Sequence, residues 1–79
     1  MPKKMVHLVF PQELIKKPAI YTMAKKYEVI PNIRRAKITE TVGEVTLELE
    51  GTGENLDKAI KYLEKINIKV EPVVGDIIE

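Results

Sequence analysis

The sequence predicts an α+β sandwich, a four-stranded antiparallel sheet with two helices on one of its faces. Three observations carry that expectation. "KMVHLVF" (4–10) and "EVTLELE" (44–50) alternate apolar and polar residues with the period of a half-buried strand. Two other stretches, one starting near Pro18 and one at "ENLDKAIKYLEKI" (54–66), repeat their apolar residues at helical spacing. The order along the chain is strand, helix, two strands, helix, strand, with no linker and no repeat to divide it.

In the first strand Val6, Leu8 and Phe10 share one face, with Met5, His7 and Val9 on the other. Pro11 ends it, and "PQELIKK" reads as a loop. Pro18 suits the first position of a helix, where its missing N–H costs nothing. Ile20, Met23, Ala24 and Tyr27 then form an apolar stripe, closed by Lys25 and Lys26 at the negative end of the helix dipole. Residues 29–40 return to an extended pattern, with Pro31 allowed near a strand start or on an edge. "TVG" (41–43) supplies the hairpin connection. Val45, Leu47 and Leu49 point one way from the next strand, and Glu44, Thr46, Glu48 and Glu50 the other. "GTG" (51–53) breaks it. Leu56, Ala59, Ile60 and Leu63 define the buried face of the second helix, with Asp57–Lys61 and Lys61–Glu64 as possible surface pairs. Asn67 suits its C-terminal turn. "IKVEPVV" (68–74) is a last strand, halted by Pro72 and Gly75. Ile77 and Ile78 in the tail hint at a covering segment. This β-α-β-β-α-β order is that of the ferredoxin-like sandwich, whose first and third strands lie mid-sheet.

At 79 residues the chain is one domain, 1–79 with a core of about 4–74. A domain of that size buries roughly 60% of its unfolded surface, so pairing with another copy would help it. Thirteen basic against twelve acidic side chains leave a net charge of +1, with no global pull toward nucleic acid. Without cysteine the chain offers no disulfide, thiolate nucleophile or iron–sulfur ligands, and a single histidine argues against a metal site. No cofactor is expected. No apolar run approaches the ~20 residues of a spanning helix, and a cytoplasmic location without membrane insertion is expected.

Ferredoxin-like sandwiches host many activities, so function must come from residues. No CxxC loop is present for metal transport. RNA-binding versions of the fold stack bases on open-face aromatics, whereas Phe10 points with the core set. The glycines of "EGTGENLD" precede a helix, but Glu54 and Asp57 in its first turn would repel phosphate. No carboxylate pair suggests acid–base catalysis, and an enzyme is not expected.

The face left open by the helices would carry Met5, His7, Val9, Glu44, Thr46, Glu48, Glu50, Lys69 and Glu71. Met5 and Val9 make it more apolar than a solvated face, as a dimer or ligand surface would be. His7 reads first as a histidine bonded across strands, and second as a pH-sensitive contact beside Glu44 or Glu48. Arg34 and Arg35 are the densest positive charge. As neighbours on a strand they are expected on opposite faces, unable to form one clamp.

The stretch "PNIRRAKI", following Phe10 and Pro18 and preceding "GEVTLELEG" and the closing Val70–Glu71, resembles the NIL domain. The likeness runs from about Val6 to Val73 and includes Asn32, Ile33, Ala36, Gly43, Leu47, Gly51 and Leu63. The family is named for an Asn-Ile-Leu tripeptide at the start of its second strand. The resemblance implies a ferredoxin-like module that pairs as a homodimer. Such modules occur at the C-terminus of methionine-importer ATPases, where they resemble methionine sensors that restrain transport. They also precede ferredoxin-type iron–sulfur domains in proteins of sulfur assimilation and homocysteine formation.

Carried onto this chain, Asn32 and Ile33 would recognise the ligand, since an amide can serve both the ammonium and the carboxylate of an amino acid. Arg34 replaces the leucine, a departure that opens the position to a more acidic or differently placed ligand. Met5, Val9 and Ile33 would line a slot for a thioether. Two functions follow: a dimeric sensor of methionine or a related sulfur amino acid acting through a partner, or a non-enzymatic subunit docking to an iron–sulfur or sulfur-transfer protein without a small ligand.

Overall fold

The structure, a computed structural model, describes residues 2–73. Its elements are β1 (Lys3–Phe10), a 3₁₀ turn (Gln12–Leu14), α1 (Ala19–Tyr27), β2 (Ile30–Ile38), β3 (Gly43–Glu50), α2 (Gly53–Lys65) and β4 (Lys69–Pro72). The strands form one antiparallel sheet in the order β2-β3-β1-β4. The first and third strands are therefore central and the fold is the ferredoxin-like sandwich. The tail with Gly75, Ile77 and Ile78 lies outside the described residues.

The core forms where the alternating strands meet the apolar stripes of the helices. Val6 and Leu8 of β1 and Val45, Leu47 and Leu49 of β3 pack against Met23 of α1 and Leu56, Ala59 and Leu63 of α2. Val29 and Ile68 close the layer from the connections. Each large side chain here is essentially inaccessible to solvent, and each contributes roughly 1.5–3 kcal/mol by leaving water.

Local chemistry sets the element ends. Thr52 caps α2, its hydroxyl accepting from the Asn55 N–H at 3.1 Å, so the "GTG" break is the helix start and not an anion loop. Asn67 takes a left-handed conformation after α2, φ 73°, as its short amide side chain tolerates. Glu28 does the same after α1, φ 56°, without that advantage. Helix α1 begins one residue later than Pro18, whose carbonyl accepts the Thr22 N–H at 2.9 Å. On α2 the ion pair formed is Glu54–Lys58 at 3.1 Å, one turn before the Asp57–Lys61 pair suggested by spacing.

Strand β2 is the exception to burial. None of its nine residues is buried, and Ile30, Ile33 and Ile38 are 57–58% exposed. Helices α1 and α2 cover the middle of the sheet and leave this edge uncovered.

Candidate functional site

Cross-strand register places the predicted residues in rows on the open face. One row runs Met5, Glu48, Asn32; the next runs Glu71, His7, Thr46, Arg35; a third runs Lys69, Val9, Glu44, Lys37. Met5, His7 and Val9 are half-buried there, while Asn32 is exposed. Ile33 lies opposite Leu47, a core residue, and so faces the helix side. Met5, Val9 and Ile33 consequently do not line one slot, because a sheet separates them. That part of the sequence reading is corrected by strand parity.

The two arginines are corrected in the opposite sense. The pairing of β2 with β3 slips between Ile33 and Arg35. Ile33 faces Leu47 and Arg35 faces Thr46, so Arg34 is the extra residue of a β-bulge. The Arg34 guanidinium reaches Glu48 on the open face at 3.1 Å, and Arg35 opposes Thr46 on that same face. A bulge suspends simple alternation, and adjacent arginines end on one side of the sheet. Beyond it the parity is restored with Ala36 and Ile38 on the helix side, opposite Val45 and Gly43.

Glu48 is the hub of the Asn32 row. The Arg34 hydrogen bond, aided by the charges of Arg34 and Lys3 and by the Asn32 amide, holds its carboxyl below the ordinary value, against partial burial that pushes it up. The Arg34 guanidinium is thus already engaged by this chain. His7 is bonded across strands, its Nδ1 lying 3.0 Å from Thr46 Oγ1, with Nε2 3.6 Å from Glu44. The plainer of the two expectations for His7 accounts for this geometry.

An apolar cavity of about 200 Å³ opens on the helix side, at the Ile38 end of β2. Phe10, Ile15, Pro18, Ile20, Ile38 and Val45 form its walls, and Lys17 borders it. Gly43 keeps the space open, since a Cβ there would lie 3.0 Å from Ile15 and 3.1 Å from Phe10. Sequence reading missed this cavity because Ile15 sits in a loop and Phe10 was assigned to the core. The available signal was the loop itself, framed by Pro11 and Pro18 and rich in apolar residues.

The chain matches the sequence profile of the NIL domain over residues 4–72. It belongs to the NIL domain family. Among curated proteins it is 32% identical over 75 residues to the methionine import ATP-binding protein MetN 1 of Bacillus licheniformis, covering 90% of this chain and 22% of that protein. It is 29% identical over 76 residues to the MetN protein of Halalkalibacterium halodurans, covering 91% and 22%. The NIL chain thus spans about a fifth of the length of these relatives, 22% in each. Among solved structures it is similar to the C-terminal domain of an ABC transporter ATP-binding protein from Enterococcus faecalis. That likeness has a TM-score of 0.82 and 30% identity, over 92% of this chain and 86% of that one.

Proposed function

We propose that this NIL domain is a regulatory ligand-binding module that pairs with a second copy, senses methionine or a related sulfur amino acid, and acts through a partner such as an importer ATPase in the cytoplasm. It performs no chemistry of its own. The observation that carries this reading is the uncovered β2 edge, with Ile33 and Ile38 exposed and Ile38 lining an apolar cavity of about 200 Å³. A cavity of that size suits a thioether chain, and Lys17 at its border suits a carboxylate. Family membership and the names of the relatives point the same way.

Two β2 edges pairing antiparallel would satisfy their outward backbone groups and cover Ile33, Ala36 and Ile38 of both copies. Asn32 and Ile38 lie on opposite faces, about 20 Å apart along one strand. Antiparallel pairing about the strand's middle sets Asn32 of one copy beside the Ile38 end of the other along the joined sheet, with Asn32 on the open face and the cavity on the helix face. The half-buried Met5 and Val9 on the open face support a second reading, docking to an iron–sulfur or sulfur-transfer protein of methionine metabolism without a small ligand.

Titration calorimetry with L-methionine, homocysteine and aspartate, at a known oligomeric state, tests the first reading. Saturable methionine binding is expected with the fold retained, lost in Ile38→Lys where the cavity holds the ligand and in Asn32→Ala where the open-face row does. No heat from a well-folded dimer would sink it and leave the docking subunit.

A further inference from the structure

The helix layer carries a second concave surface, which the ligand reading does not use. An open groove of about 540 Å³ runs between the C-terminal halves of α1 and α2. It is lined by Lys26, Lys58, Lys61 and Lys65 around Tyr27 and Tyr62, with Ile66 at one end and no carboxylate. The two rings pack at 5.6 Å between centroids with a 53° tilt. The Lys26 ammonium sits 5.6 Å from one ring centre and 5.5 Å from the other.

The charged groups that line the groove are all cationic. On the open sheet face cations and carboxylates interleave, as in Arg34–Glu48 at 3.1 Å and Lys69–Glu71 at 3.3 Å. On α2, Lys58, Lys61 and Lys65 recur along one face, and Asp57 and Glu64 border that face beside Lys61 without lining the groove. Glu54 offsets Lys58. Among the described residues, Lys26, Lys61 and Lys65 have no carboxylate within 4.0 Å. The lysine line extends about 10 Å along α2.

We propose that this groove docks an acidic polypeptide segment of a partner, independently of the methionine reading. Its carboxylates follow the lysine line and an apolar or aromatic side chain lies over the Tyr27–Tyr62 pair. The charge is spread along a line, which fits carboxylates spaced on a chain. A compact phosphate group would need donors converging on one point. A bilayer is flat and would meet the rims of the groove, leaving the tyrosines uncontacted. An acidic chain with one apolar side chain fits both the charge and the concavity.

Fluorescence anisotropy with a short labelled peptide of Glu and Asp around one Phe tests this on the whole chain. Saturable binding is expected, weakening with salt and falling roughly tenfold or more in Lys61→Glu/Lys65→Glu. The Lys61→Arg/Lys65→Arg protein should retain it. Replacing the peptide's Phe by Ser, or Tyr62→Leu in the protein, should weaken it several-fold (about threefold or more). Lys61 and Lys65 are exposed and Tyr62 is half-buried against the core, and a thermal melt confirms each variant's fold. No binding, equal binding to the charge-reversed protein, or indifference to the Phe would overturn the proposal. Preference for phosphatidylserine vesicles or inorganic triphosphate over the peptide would overturn it too.

Discussion

Strands β2 and β3 lie side by side, yet they occupy different physical worlds. In β3 every second residue is buried, from Gly43 through Val45 and Leu47 to Leu49. In β2, paired to it by hydrogen bonds along its whole length, nothing is buried. Ile33 and Leu47 sit opposite each other on the same face, the first 57% exposed and the second fully enclosed. The difference is the helix layer, which reaches β3 and stops short of β2. The proposed pairing with a second copy would cover the apolar residues that this domain's helices leave exposed on β2.

The largest effect that sharpens this contrast is in the core. Leu47→Ala should cost about 3 kcal/mol, measured by urea unfolding, because it leaves a cavity under both helices. Ile33→Ala, directly across, should cost less than about 0.5 kcal/mol at high dilution. If the second copy covers β2, that cost should rise with protein concentration while the cost of Leu47→Ala stays large. Equal costs for both at high dilution would break the comparison.

Gly43→Ala comes next. Its new Cβ would press Ile15 and Phe10 at 3.0 and 3.1 Å, costing about 1–2 kcal/mol and narrowing the cavity. Gly53→Ala, with nothing within 4 Å of its Cβ, should be neutral or stabilising by about 0.5 kcal/mol. A melting series separates the two.

Glu28 connects α1 to β2 in a left-handed conformation that favours asparagine or glycine. Glu28→Asn should stabilise the chain by about 0.5 kcal/mol, seen as a higher melting temperature.

The smallest effect lies at the bulge. Glu48 has a lowered folded-state pKa, so its contribution is present above the unfolded value of about 4.5 and is lost as pH falls through the folded value. Arg34→Ala should bring the Glu48 carboxyl back toward its ordinary range in an NMR titration, and flatten the loss of stability on the acid side. Because Arg34 is half exposed, with 50% of its side chain accessible, water and salt weaken the pair. An unmoved Glu48 titration would mean the bulge pair is not formed in solution.

Sequence by itself determined the element order, the buried faces of β1, β3 and both helices, and the sheet topology. Those follow from short-range regularities, since period two and period 3.6 each commit a face, and short connections leave few topologies. The glycines, prolines and Asn32–Ile33 also carried the family likeness, because they sit where backbone shape or the strand entry constrains residue choice. Sequence alone did not reveal that Arg34 and Arg35 share a face. One extra residue in the ladder reverses parity, and only the pairing with β3 displays the slip between Ile33 and Arg35. Nor did it show that Ile33 parts company with Met5 and Val9, which belong to another strand whose register depends on long-range hydrogen bonds. The cavity around Phe10, Ile15 and Ile38 and the lysine groove around Tyr27 and Tyr62 gather residues distant along the chain. Such places are made by how the layers overlap, and how far two helices reach across a sheet is a property of the packed molecule.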